Sequence, residues 1–334
     1  VLFILSKNLI LEAIIPHLKN NEMKIIFENK EVNLPDFLIV GAAKSGTTSM
    51  YYHLESSRNV LFPREKESHF FTFYNNPPNF QSPSYLPTIV SNLQEYAGDL
   101  SKVKSNQKIG DASTSYLYKH EIAIKNIKKI YGEKAKNIKI VIILRNPVER
   151  AWSQYWHNRK NFNEDLKFLE AIDQETVKRR LTNNWSFYYN YLDFGFYTKQ
   201  IESYQEYFDD IKIYLQEDLK NSPQELINDL SSFIGIPNFK IDTNRIYNPS
   251  GVPKNNIFGK LWEINVNAQS LKKVKKVLPQ RIRKYFSNKI MERALVRQEL
   301  DLDTKKKLIE FYSSEIDSLY DLLQRDEIKN WKNA

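Results

Sequence analysis

The chain has 334 residues, of which 41% are hydrophobic and 27% charged, enough to bury a large core in one α/β domain or one domain with an appendage. It contains no cysteine, which excludes disulfides, thiolate metal sites and cysteine nucleophiles together and fits a reducing, cytoplasmic setting. The net charge of +9 is concentrated: residues 271–300 hold ten Lys or Arg against two Glu, leaving +8 in this stretch alone.

Residues 1–18, VLFILSKNLILEAIIPHL, are interrupted by Lys7, Asn8 and Glu12 and read as an amphipathic packing helix rather than a membrane anchor. After them the chain alternates strand-like and helix-like runs, the pattern of a mostly parallel sheet covered by helices. Residues 36–40 form the first strand. The loop GAAKSGTT follows, opening a helix over 47–56. Residues 75–87, rich in Pro, Asn and Ser, are an irregular excursion. A short strand at 108–111 and a helix at 121–131 come next. IKIVIIL, residues 138–144, is a buried strand because β-branched residues fill it without alternation. Pro147 opens a helix running to 158, since its missing N–H costs nothing in the first turn. Helices are expected at 164–181, 198–208 and 223–234, with a strand at 211–215. YNPSGVPKNN, residues 247–256, is a loop, and the chain beyond it reads as helical to its end. No repeat or low-complexity linker divides it, so 1–334 is one domain: an α/β core at 35–260 and a helical extension at 261–334.

Gly41 and Gly46 have the spacing of a phosphate-binding loop, in which backbone N–H groups and a helix N-terminus surround an anion. A nucleotide-hydrolysing loop places its lysine directly after the second glycine. Here Thr47 and Thr48 stand there, and Lys44 lies inside the loop. At the end of the core strand, where an Mg²⁺ ligand is expected in such enzymes, the sequence has Arg145, a forked donor for a second phosphate. Ser153 follows about two helical turns on. For Arg145 the competing reading is a surface ion pair with Glu149. The basic run at 271–300 is either a solvated face or a contact for an anionic acceptor or membrane surface; no nucleic-acid recognition module accompanies it.

GAAKSGTT, LRNPVERAWSQY and NPSGVPKNN, in this order, resemble the elements with which sulfotransferases bind 3′-phosphoadenosine 5′-phosphosulfate (PAPS), in particular the heparan sulfate and bacterial carbohydrate-type branch. The resemblance implies a P-loop-like three-layer fold and a metal-free transfer that leaves the desulfated nucleotide (PAP). It assigns the 5′-phosphosulfate to Lys44, Ser45, Gly46, Thr47 and Thr48, the 3′-phosphate to Arg145 and Ser153, and a closing loop to Lys254 and Asn255, although a single Lys254 stands where relatives carry more cations. Sulfuryl transfer needs cations near the leaving oxygen and a base for the acceptor, and Lys44 supplies the first. Glu67 in FPREKESHFFTF matches the family's catalytic glutamate, and its apolar and anionic surroundings are expected to raise its pKa. His69 is the competing base or an acceptor ligand; in an extended segment both would share a face, with Lys66 pointing away.

Asp111 and Tyr116 in KIGDASTSYLY are expected near the acceptor, or in a structural cap. Gly195, Phe196 and Tyr197 match an element packing near the nucleotide, and Trp152, Tyr155 and Trp156 are core and groove wall. The acceptor is either a small polar natural product or a carbohydrate. Two other readings stand beside this one: a P-loop nucleotide kinase, disfavoured by the lysine and by Arg145, and a non-catalytic polyanion-binding protein, disfavoured by Glu67.

Overall fold

The structure, a computed structural model, describes residues 23–83, 89–161, 163–243, 252–253, 295–296 and 299–333. The expected N-terminal helix, Lys254 and Asn255, and nearly all of the basic run 271–300 lie outside these residues. A hairpin, β1 (Lys24–Phe27) and β2 (Lys30–Asn33), opens the described chain, turning through Glu28 and Asn29, both at positive φ. The sequence reading did not find it, because neither residue is the glycine that usually marks such a turn.

β3 (Phe37–Gly41) enters the sheet and α1 (Thr47–Glu55) leaves the loop after it. β4 (Val60–Leu61) is an edge strand, α2 (Phe70–Phe73) a single turn, and α3 (Leu93–Leu100) a helix capped by the Asn92 side chain. β5 (Lys108–Ala112), α4 (Ser115–Tyr118), α5 (His120–Tyr131) and β6 (Lys139–Leu144) follow. Next is α6 (Pro147–Lys160), with Asn146 accepting from the Val148 and Glu149 N–H groups and proline in its first turn, as expected.

The helix expected at 164–181 is broken into α7 (Phe168–Ala171) and α8 (Gln174–Thr182). The break falls at Asp173, whose side chain caps α8 by accepting from the Thr176 N–H at 3.0 Å, and before α7 the fully buried Glu164 carboxylate takes both Arg180 Nη groups at 2.7 and 2.8 Å and the Tyr191 hydroxyl at 2.8 Å. That pairing holds Glu164 away from the helical path. The chain continues through α9 (Thr198–Gln205), β7 (Ile211–Leu215), α10 (Gln216–Asn221) and α11 (Pro223–Ile234). β8 (Val252–Pro253) pairs antiparallel with β9 (Leu295–Val296), correcting both the loop expected at the first pair and the helix expected at the second. Helices α12 (Leu302–Phe311), α13 (Ser313–Leu323) and α14 (Asp326–Asn330) end the described chain.

The central sheet has the order β4-β5-β3-β6-β7, and every pairing in it is parallel. Alternation along β3 and β6 sends Leu38, Val40, Ile140, Ile142 and Leu144 to one face and Phe37, Ile39, Val141 and Ile143 to the other. The second face is covered by Met50 and Leu54 of α1 and by Leu226, Ile227 and Leu230 of α11. The first is covered by α5 and by the C-terminal helices, through Leu308, Tyr312, Ile316, Leu319, Ile328 and Trp331. This is a three-layer α/β fold. Burial of each aliphatic residue of β6 is worth roughly 1.5–3 kcal/mol. Among the described residues no helix is long and apolar enough to cross a membrane.

Candidate active site

In an open parallel sheet, ligands bind beyond the carboxyl ends of the strands, where successive connections diverge. Here the chain leaves β3 toward the β4 edge, returns through β5 and crosses to β6 on the other side of β3. The ends of β5, β3 and β6 are therefore adjacent, and each carries residues singled out in the sequence.

The loop after β3 is strained where a phosphate cradle should be. Lys44 has φ 68°, and Gly46, at φ 121°, precedes the first residue of α1. The φ of 121° favours glycine at Gly46, and a Cβ there would also press on Leu219 Cδ2 at 2.8 Å. The first-turn N–H groups of α1, from Thr47 and Thr48, have no acceptor one turn earlier in their own helix and face the loop. Ser45 is fully buried and its hydroxyl lies near Tyr197 without closing a hydrogen bond. A buried hydroxyl and helix N–H groups around one loop suit an anionic oxygen cluster, so these residues fit a nucleotide phosphate.

Arg145, 8% exposed, joins the end of β6 to this loop. Its Nη1 donates to the Lys44 carbonyl at 3.3 Å, while Nε and Nη2 donate to Glu149 Oε2 at 3.2 and 2.8 Å. The ion pair with Glu149 is present, though not at the surface, and the same guanidinium stands against the loop carrying Lys44. The Tyr197 hydroxyl donates to the Arg145 carbonyl at 2.9 Å, and a Cβ on Gly195 would meet Pro147 Cβ and the Tyr312 hydroxyl, both at 2.8 Å. The Gly-Phe-Tyr element thus packs on the N-terminus of α6, behind Arg145. Ser153 is half-buried on the second turn of α6. Of the aromatic group, Tyr155 is buried, and Trp152 stacks on it and meets Phe168 edge-on.

On the β5 side the segment carrying Glu67 and His69 is not extended. Both residues have left-handed backbones, at φ 63° and 55°, and His69 precedes α2. They still face one region, because each reaches the turn after β5. Glu67 Oε2 accepts from the Thr114 N–H at 2.7 Å and its hydroxyl at 3.0 Å, and Lys66 Nζ lies 2.6 Å from Oε1. His69 Nδ1 is 2.8 Å from the Ser115 hydroxyl. Lys66 therefore turns onto Glu67 instead of away from it.

The expectation of a raised Glu67 pKa is corrected. Burial pushes it up, but Lys66, His69 and the Thr114 N–H together hold the carboxyl below the usual carboxylate range. Burial, only partly opposed by Glu67, lowers His69 to about 4, so its imidazole is neutral at pH 7. Glu67 is thus an ionised acceptor of protons beside a neutral ring.

Asp111 and Tyr116 are placed in the core, 1% and 0% exposed. Asp111 Oδ2 accepts from Tyr116 at 2.6 Å, Tyr96 at 2.7 Å and Ser68 at 3.0 Å, and Oδ1 accepts from Ser113 at 3.1 Å. Burial raises the Asp111 pKa against these four bonds. Ser113 in turn accepts from the His69 N–H at 3.1 Å, so the hub fixes the Glu67 segment from behind.

Sequence reasoning missed Thr114 and Tyr188. The Tyr188 hydroxyl meets Thr114 Oγ1 at 3.0 Å, and Tyr188 packs on the cluster of Ala43, Phe73, Phe187 and Phe194, which includes the phosphate loop itself. The signal for Thr114 was its position just past the end of β5; Tyr188 lies in an unpatterned stretch and gave none. Among the described residues no group of three or more His, Asp or Glu side chains is placed to hold a metal ion.

Residues 34–315 match the sulfotransferase domain family. The chain belongs to the sulfotransferase family. The sulfotransferase of Alicyclobacillus acidocaldarius superposes with a TM-score of 0.67 at 24% identity, covering 90% of this chain and all of that one, a likeness of fold. The membrane-associated sulfotransferase kil1 of Dictyostelium discoideum is 30% identical over 131 residues, 38% of this chain and 24% of that protein. The human bifunctional heparan sulfate N-deacetylase/N-sulfotransferase 2 is 26% identical over 220 residues, 62% of this chain and 22% of that protein. This sulfotransferase spans about a quarter of the length of the curated relatives it matches. The heparan sulfate N-deacetylase/N-sulfotransferases are thus what this sulfotransferase is similar to in sequence, and the Alicyclobacillus enzyme is what it is similar to in fold.

Proposed function

We propose that the enzyme moves a sulfuryl group from PAPS to a hydroxyl or amine of a polar acceptor, with Glu67 as general base and Lys44 stabilising the phosphate that leaves. The observation that carries this reading is the join between Arg145 and the Lys44 carbonyl, which brings a second cation against a cradle whose lysine lies inside the loop. Loop N–H groups, Ser45, Thr47 and Thr48 hold the 5′ end, and Arg145 with Ser153 holds the 3′-phosphate. Lys254 and Asn255 are assigned to the nucleotide by the family resemblance alone. PAPS supplies the activated sulfur; the chain orients it and takes the acceptor proton. Glu67, steadied by the Thr114 N–H and hydroxyl and ionised, is able to accept that proton. The names of the heparan sulfate relatives favour a carbohydrate acceptor over a small natural product, and the basic run 271–300 would suit an anionic glycan.

The test is mass spectrometry across a panel of amino sugars, neutral sugars and small polar metabolites, seeking the gain of one SO₃ that depends on PAPS. Glu67→Gln is expected to lower turnover by about 10²–10⁴ while leaving PAP affinity nearly intact. Lys44→Ala is expected to cost about 10²–10³ in rate and to weaken nucleotide binding as well. A Glu67→Gln enzyme with wild-type turnover would remove Glu67 from the role of base.

A further inference from the structure

The two oxygens of Glu67 are not equivalent. Oε2 takes both Thr114 hydrogen bonds, whereas Lys66 Nζ sits 2.6 Å from Oε1. An ammonium there occupies lone pairs that an acceptor proton would need, so a base that works through Oε1 has to shed it. Lys66 is positioned to leave. Its side chain is 18% exposed and that of Glu67 25%, so moving the ammonium opens no core. It also lies 5.9 Å from the Tyr51 ring on α1, the helix whose first turn borders the phosphate loop. The ammonium therefore stands between the carboxylate and the donor's helix, where a second anion would compete for it.

We propose that Lys66 is a movable counter-ion that covers Glu67 Oε1 until the sulfuryl group of the donor draws it away, so that the base is uncovered only when the donor is in place. The inference rests on the reading of Glu67 as base and adds a link between donor occupancy and that base. In the step itself the acceptor O–H or N–H gives its proton to Oε1, and its electron pair forms the bond to sulfur. The bond from sulfur to the bridging oxygen breaks, leaving its pair on the phosphate of PAP. Lys66, now against a sulfuryl oxygen, keeps all its protons. After the sulfated product and the proton leave, Lys66 returns to Oε1, since PAP has no sulfuryl group to hold it.

Calorimetric titration of PAPS and PAP, without acceptor, into wild type, Lys66→Met, Glu67→Gln and the double variant tests this link. Glu67→Gln frees Lys66, and is expected to tighten PAPS binding about tenfold when Lys66 is present but less than about twofold in the Lys66→Met background. PAP affinity is expected to stay within about twofold across all four proteins. Lys66→Gln, which also removes the cation, is expected to lose the gain in the same way and stands in for Lys66→Met if that variant does not fold. An equal gain with and without Lys66 would overturn the proposal, because it would mean simple repulsion between Glu67 and the sulfuryl group; so would the absence of any gain. If PAP and PAPS bind none of the proteins, the donor reading itself fails, and the inference with it.

Discussion

At the residue scale the site depends on how a few ionised groups are held. Glu67 and His69 sit side by side on left-handed backbones, with Asp111 and Ser113 fixing the segment and Thr114 receiving the carboxylate. His69 has a pH consequence. Its folded pKa, about 4, lies below the unfolded value of about 6.5, so the unfolded chain binds the extra proton first as pH falls. Stability is therefore lost between about pH 6.5 and pH 4, by on the order of 3 kcal/mol for this group. The Glu67 carboxylate, also held low, contributes in the same direction further down. Urea denaturation at stepped pH is expected to show this slope in wild type and a flatter one in His69→Gln; identical slopes would show that His69 is not buried neutral. The left-handed turns were not legible in the sequence, since no glycine marks them. Nor was the low Glu67 pKa, whose causes include a hydrogen bond from Thr114, 47 residues away.

At the element scale, what could be read followed local chemistry, and what could not followed distant partners. β6 was legible because IKIVIIL has one polar residue, Lys139 at its start, and then five aliphatic residues in a row with no alternation. The start of α6 was legible because Pro147 can sit only where an N–H is dispensable. The late start of α7 was not, since Glu164 finds Arg180 and Tyr191 only in the folded chain. A second distant link supports the nucleotide site. Asn146, the cap of α6 and neighbour of Arg145, donates through Nδ2 to the Trp331 carbonyl at 3.1 Å, and the Trp331 indole donates to Glu217 at 3.0 Å. Trp331 is 3% exposed. Trp331→Ala is expected to lower unfolding free energy by about 3–5 kcal/mol in urea titrations, with Trp331→Phe costing much less. An unchanged stability would mean that the C-terminal helix merely lies on the surface.

At the scale of the whole molecule, a parallel sheet presents the ends of β5, β3 and β6 side by side, and each end adds one part: Thr114 holding Glu67, the loop carrying Lys44, and Arg145. The C-terminal helices complete the same core that covers the sheet, so the fold closes behind the site. The loop carrying Lys44 and the strand-end Arg145 were legible because backbone geometry and charge dictate them locally, whereas Thr114 was not. Their assembly was not, because it depends on strand order. The central claim is that this assembly grips the phosphates of an adenosine bisphosphate without a metal, through Arg145 among others. Calorimetric titration of PAP in the presence of EDTA measures that claim directly. One binding site per chain, weakened at least about tenfold by Arg145→Ala, is the predicted result. No response to PAP, with binding of Mg-ATP in its place, would contradict it.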